Sequence, residues 1–346
     1  MPLNARSLAF DVLDAVENGG FADDLLRAKV IDAQEAHLAS ELVFGVLRHR
    51  AQLDFLIGHY SGRSNKLDKE VRNALRLGIY QLRYLDRIPP HAAVSTSVEL
   101  VKRARKASAV GYVNAVLRKV NRDPVSYPTD AVALSMPDWV LDRWERKFGA
   151  VAAHAAAAYF LSKPPVHQRG ERQMDIGAQQ IVPLLELAPN HRFLDVCAAP
   201  GNKTLQAAEC GVEPVACDRS RKRLASIPVV RRVQLDASLP LPFRPIFDRI
   251  LVDAPCSGTG TFGRNPEIKW RVTPEEFTRQ AERQLQILAA AMAVLAPGGR
   301  LVYSTCSLEP EENEGVTGHF AERILSQGYR LPGRDAGDGF FHAVLA

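Results

Sequence analysis

Two cysteines stand in short polar segments that directly follow apolar runs: Cys256 in DAPCSGTG (253–260) and Cys306 in YSTCS (303–307). A thiolate is a strong nucleophile, although a free thiol is only a few per cent ionised near neutrality. Asp253 opens the first of these segments, so an acid and two thiols gather where strand-like runs end. A third segment, LDVCAAPGNKT, places the small-residue turn Cys197, Ala198, Ala199, Pro200, Gly201, Asn202 and Lys203 between an apolar run and a helical one. Such a turn lets a ligand approach the backbone and a helix N-terminus. Downstream, Asp218 closes EPVACD and is suited to ribose hydroxyls, and Asp236 closes VVRRVQLD and can accept from an adenine amino group. The turn holds only Gly201, so neither GxGxxG nor GxxxxGK[ST] is present and the cofactor need not carry a pyrophosphate. Cys197, Cys210 and Cys217 read as buried structural cysteines, with Cys197 also part of the turn.

The elements that must position these residues alternate. After Gln173 the short apolar runs RFLDVCAAP, EPVACD, FDRILVDAP and GRLVYSTC are separated by helical stretches. That alternation specifies a parallel sheet with helices on both faces, in which ligands bind at the carboxyl ends of the strands. The first third is different: Leu8, Val12, Leu13 and Val16 begin a series of helical periodicities that continues to about residue 125. DPVSYPTDAVALSMPDW, with three prolines, reads as a linker before a helix from Pro137 to about Tyr159. The expected organisation is a helical domain over 1–125, a connecting segment over 126–175 and an α/β domain over 176–346.

With 346 residues, 46% of them hydrophobic and 24% charged, the chain has the composition of a globular protein of two domains. No apolar run reaches the ~18 residues that span a bilayer, and acids occupy the start where a signal peptide would be apolar. A cytoplasmic protein with reduced thiols is expected. The five cysteines make neither a CxxC pair nor a disulfide framework, and no metal site is expected. A net charge of +5 fits a polyanionic partner. Lys102, Arg103, Arg105, Lys106, Arg118, Lys119 and Arg122 fall in a stretch without an acid, either an RNA-contacting surface or a solvated helix face.

DAPCSGTG, the downstream RNPEIKW (264–270) and STCSLEPEENE together resemble the bacterial ribosomal RNA small subunit methyltransferase B family, also called Sun. The resemblance extends to CAAPGNKT and to DGFFHAVL (338–345). RIPPHAAVSTSVELVK and VNAVLRKV resemble the helical RNA-binding fold of the antitermination factor NusB. It implies an all-α NusB-like domain followed by a Rossmann-like class I methyltransferase domain that acts on cytosine C5 in RNA, 16S ribosomal RNA in this family. It implies S-adenosylmethionine as cofactor, held by Cys197 through Lys203, Asp218, Asp236 and Asp253. It further implies Cys306 as nucleophile, Asp253 as the acid at the cytosine edge and Cys256 as the cysteine that assists release.

That chemistry explains the residue set. Cytosine C5 is a poor nucleophile, so a thiolate adds to C6 and makes C5 able to attack a sulfonium methyl group. A protonated Asp253 would donate to N3 as electron density builds there. The target base must leave its stack to reach the thiol. A monomer acting on RNA is expected. Three departures stand out: Asn202 replaces a family glycine, the segment before LDVCAAP lacks most of the family's connecting subdomain, and the stretch from Asp218 to Asp236 is short. A non-catalytic, antitermination-like RNA-binding protein with a relic second domain is the alternative, and the presence of both cysteines and all three cofactor carboxylates argues against it. A DNA-type enzyme would carry a Pro-Cys nucleophile, and an amino-group methyltransferase an Asn/Asp-Pro-Pro-aromatic loop.

Overall fold

The computed structural model describes residues 4–29, 32–62, 66–228 and 231–346; residues 229 and 230 of the run VVRRVQLD lie outside them. The chain divides into two compact units, Met1–Lys163 with Phe262–Trp270 and Pro164–Thr261 with Arg271–Ala346.

The first unit is helical. Its elements are α1 (Ala5–Glu17), α2 (Ala22–Arg27), α3 (Ala33–Arg48), α4 (Arg50–Ser61), α5 (Lys69–Tyr84), α6 (Pro90–Arg103), α7 (Val110–Leu117), α8 (Asp130–Ala133), α9 (Asp138–Phe148) and α10 (Ala150–Tyr159). Local chemistry sets the ends. The Asn4 side chain accepts from Ser7 N and Ser7 reaches back to Asn4 N, closing a capping box at α1. Asp32 caps α3, and Gly62, with φ +68°, ends α4. The apolar stripe Leu8, Val12 and Val16 of α1 packs in one core with Leu42 and Val46 of α3 and Leu75 and Ile79 of α5. Each such side chain contributes about 1.5–3 kcal/mol by leaving water. Arg76 is buried among them, and its guanidinium donates to Asp54, Glu17 and Asn73, which offsets its desolvation. The single helix expected from Pro137 to Tyr159 is two: Gly149 adopts φ +81°, incompatible with a continuous helix, and separates α9 from α10.

Residues 262–270 leave the sequence of the second unit to complete this helical one. Phe262 stacks on Trp144 at 5.6 Å and meets Phe160 edge-on. Ala22 N donates to Glu267 Oε1 at 3.0 Å, Arg48 Nε to Gly263 O at 2.9 Å, and Trp270 Nε1 to Leu47 O at 2.8 Å. Lys269 Nζ donates to Arg48 O at 2.9 Å, and burial pulls its pKa down to about 7.

The second unit opens with the hairpin β1 (Gln168–Arg169) and β2 (Arg172–Gln173) and the turn of helix α11 (Ile176–Gln179). Then follow β3 (Phe193–Asp195), α12 (Asn202–Ala208), β4 (Pro214–Asp218), α13 (Arg221–Ala225), β5 (Arg231–Gln234) and β6 (Phe247–Asp253). The chain ends with α14 (Pro274–Met292), β7 (Leu295–Thr305), α15 (Glu314–Thr317), β8 (Ile324–Arg330) and β9 (Phe340–Leu345). Apart from the β1–β2 hairpin, the described strands form a seven-stranded sheet in the order β5-β4-β3-β6-β7-β9-β8. Leu194, Ile250, Val252, Leu301 and Tyr303 are fully buried, as strands covered on both faces require. The expected parallel sheet holds from β5 to β7, but β9 runs antiparallel to both β7 and β8. The loop from β8 to β9 is too short for a parallel crossover. The register sets Asp253 beside Ser304, which brings the segments after β6 and β7 together.

Candidate active site

The carboxyl ends of β3, β4, β6 and β7 surround a cavity of about 340 Å³. From the turn after β3, Cys197 and Ala199 line it. Ala199 N donates to Asp218 Oδ2 at 3.2 Å and Ser220 N to Asp218 Oδ1 at 2.7 Å, so Asp218 ties the turn to the end of β4 while facing the cavity. Ala198 is buried and Pro200 follows a cis peptide. Gly201 has φ +106°, and a Cβ there would meet Ile227 at 2.9 Å. Asn202 is the first residue of α12, and the left-handed angle of the turn falls on Gly201; the Asn202 Nδ2 donates to Gln173 O at 3.3 Å. Beneath the turn Asp195 is buried, accepts from Thr204 Oγ1 at 2.7 Å and has its carboxyl pushed up to about 7 by desolvation.

On the next wall Asp236 accepts from Ser238 Oγ at 2.7 Å and Ser238 N at 3.0 Å, which hold its carboxyl below the usual range. Asp253 accepts from Lys203 Nζ at 2.7 Å and from Ser304 Oγ at 2.8 Å. Burial lowers the Lys203 pKa, but the charge of Asp253 and the hydrogen bond to it outweigh this and hold the ammonium above its ordinary value. Cys256 and Cys306 both line the cavity with their sulfurs 3.3 Å apart. The contact with Cys306, together with burial, pushes the Cys256 thiol well up. One pocket thus gathers two thiols, a carboxylate bound to an ammonium and two further carboxylates.

The remaining cysteines divide. Cys217 is buried and its thiol is pushed up to about 12 by desolvation. Burial raises Cys197 in the same way. Cys210, expected to be buried, is exposed at the end of α12. Sequence reasoning missed Arg219, Arg223 and Arg283, which line the cavity, and Gln284 and Glu312 behind the thiols. The run RSRKR and the acids of PEENE were the available signals.

The basic residues lie in the helical unit at the end of α6, in the turn after it and in the segment after α7. Lys102 pairs with Glu99 at 2.7 Å, Arg103 with Asp11 at 2.5 Å, Lys106 with Asp68 at 2.9 Å, and Arg122 with Asp86. Arg105, Arg118 and Lys119 are exposed and have no carboxylate partner among the described residues. Among those residues no group of three or more His, Cys, Asp or Glu could hold a metal ion, and no helix is long and apolar enough to cross a membrane.

The chain thus joins a helical unit to a mostly parallel sheet with a cavity at its strand ends. Residues 182–327 match the family described as 16S rRNA methyltransferase RsmB/F, and residues 3–122 match the NusB family. Ribosomal RNA small subunit methyltransferase B of Thermus thermophilus is 36% identical over 98% of this chain and 97% of its own. The enzyme of the same name from Salmonella arizonae is 30% identical over 99% and 98%. The chain therefore belongs to the RsmB/F family of 16S rRNA methyltransferases. Its alignment with the Thermus relative spans 397 positions against its own 346 residues, so that relative carries segments absent here. The crystal structure of PH0851 matches 100% of this chain and 99% of that one with a TM-score of 0.76 at 18% identity. A methyltransferase homologue from Pyrococcus horikoshii gives 0.52 over 63% of this chain and 99% of that one, at 21% identity. Both likenesses concern the fold alone.

Proposed function

We propose that this chain methylates cytosine C5 in 16S ribosomal RNA, using S-adenosylmethionine and a covalent link from Cys306 to the base. The observation that carries the reading is the contact of two thiols at 3.3 Å beside the Asp253–Lys203 pair, at the mouth of one cavity. The relatives' names supply the ribosomal RNA. The helical region 1–125 is assigned to RNA binding, 126–175 to connection and 176–346 to catalysis.

The cavity residues fit the cofactor. Asp218 is assigned to the ribose hydroxyls, Asp236 to the adenine amino group, and the turn from Cys197 through Lys203 with Asp253 to the methionine end, a reading supported by Cys197, Ala199, Asp218, Asp236 and Asp253 lining one cavity. S-adenosylmethionine supplies an electrophilic methyl group. Cys306 Sγ adds to C6 of the flipped cytosine. The acid assigned to the cytosine edge is Asp253, which contacts Lys203 Nζ and Ser304 Oγ and whose protonated form donates to N3 as electron density builds there. Once C5 carries the methyl group, its remaining proton passes to solvent, N3 returns its proton to Asp253, the bond to Cys306 breaks and the ring double bond returns. Cys256, kept as a thiol, assists this release.

The test uses ribosomal RNA fragments and denaturing electrophoresis. Cys256→Ala accumulates protein covalently bound to RNA, and Cys306→Ala forms no such species and loses methylation by orders of magnitude. Full methylation by Cys306→Ala would falsify the covalent route.

A further inference from the structure

We infer that Glu312 is the positioning residue that holds the two cysteine loops in contact. Its carboxylate is fully buried, and it accepts from the residue that follows each cysteine. Oε1 accepts from Ser257 N at 2.7 Å, and Oε2 accepts from Ser257 Oγ and from Ser307 Oγ. Gln284 Nε2 donates to Oε1 at 3.1 Å and also to Pro255 O at 2.9 Å, one residue before Cys256. Tyr303 OH closes the assembly by donating to Glu312 O at 2.6 Å. The loop after β6 and the loop after β7 are therefore tied through a single side chain.

Packing alone does not explain an acid here. Burying a carboxylate costs several kcal/mol unless it is compensated, and an apolar side chain of similar volume would fill the space without that cost. No ammonium or guanidinium pairs with Glu312 among the described residues; neutral hydroxyls, an amide and a backbone N–H hold it. Desolvation raises its pKa while these hydrogen bonds oppose the rise. What the acid provides is convergence, because one carboxylate offers about four acceptor sites and here they bind two separate loops. Glu312 does not line the cavity, so it acts through Ser257 and Ser307 rather than on the reactants. Its negative charge also contributes to keeping Cys256 protonated.

The inference rests on the reading of Cys256 and Cys306 as successive actors, but its first readout does not. In the full-length protein without RNA, the rate at which the dithiol oxidant diamide joins Cys256 to Cys306, followed by peptide mass spectrometry, measures how often the sulfurs meet. Glu312→Ala slows this cross-link at least tenfold, and Glu312→Gln restores most of the rate, since its amide can meet the same groups once the serine hydroxyls turn. If Glu312→Ala fails to fold, the double variant Ser257→Ala/Ser307→Ala cuts the tie without emptying the site and slows the cross-link in the same way. With ribosomal RNA the broken-tie variants accumulate the covalent adduct at unchanged affinity for S-adenosylmethionine. Parental cross-linking rates and adduct levels in both folded variants overturn the inference, as does a parent protein that forms no Cys256–Cys306 bond. Slowed cross-linking with no adduct even in Cys256→Ala leaves Glu312 in its role and removes the cytosine reading instead.

Discussion

The helical unit and the catalytic cavity treat charge in opposite ways. In the helical unit Lys102, Arg103, Lys106 and Arg122 each meet a carboxylate of the chain itself, and buried Arg76 is satisfied by two acids and an amide. In the cavity Asp218 and Asp236 are held only by backbone N–H groups and a serine hydroxyl, and they face open space. Within the cavity Asp253 is paired with Lys203, whereas Asp218 and Asp236 make no direct ion pair among the described residues and are the carboxylates proposed for the cofactor. A basic stretch read along the sequence mixes both kinds, because the acids that neutralise it come from distant positions.

The largest expected effect tests the ligand side. Asp218→Ala costs S-adenosylmethionine about 1.5–3 kcal/mol of affinity by calorimetry, as for a hydrogen bond to a charged group, and unchanged affinity removes Asp218 from the site. The second tests the exception in the helical unit, Lys269, which is buried without a carboxylate partner among the described residues. Its pKa falls from 10.5 unfolded to about 7 folded, so between those values the unfolded chain binds the proton and the folded one does not. Stability of the helical unit therefore rises with pH across that window, by at most about 1.4 kcal/mol per pH unit, and the gain is complete above it. All three tryptophans, Trp139, Trp144 and Trp270, lie in this unit, so urea unfolding followed by their fluorescence reports the slope. Lys269→Met should flatten it, and an equal slope in both proteins refutes the assignment. The smallest effect separates paired from unpaired cations. Replacing Arg105, Arg118 and Lys119 by Gln lowers the salt dependence of RNA binding by ~0.7 per single-strand phosphate contact. The same change at Lys102, Arg103, Lys106 and Arg122 should lower it less, and equal losses would erase the distinction.

The catalytic sheet was legible where chemistry and pattern agreed. Apolar runs ending in Asp195, Asp218, Asp253 and Thr305 are the strands β3, β4, β6 and β7, because a strand buried on both faces has to be apolar throughout. The two-helix break at Gly149 was not legible, since a lone glycine in a helical pattern is as often tolerated as helix-ending. Antiparallel β9 follows from the loop length after β8, a relation that single-strand patterns do not carry. RNPEIKW has no helical or strand periodicity, and its place in the helical unit depends on partners at Ala22, Leu47 and Arg48. Of the candidate site, the cysteines and acids were readable from their positions at strand ends. Glu312 was not, because its role depends on two serines brought together by the pairing of β6 with β7.

The passage of residues 262–270 into the helical unit carries a consequence for synthesis. Ala22, Leu47 and Arg48 leave the ribosome early, yet their partners Glu267, Trp270 and Gly263 follow 245, 223 and 215 positions later. Until then the backbone carbonyls of Leu47 and Arg48 and the ring face of Trp144 wait beside water. A nascent chain halted before Phe262 therefore presents an amino-terminal unit whose last core ring, three buried hydrogen bonds and one half-buried one are still to come. The first domain made is not the first domain finished, and release of the catalytic loop and completion of the helical core become one event in time.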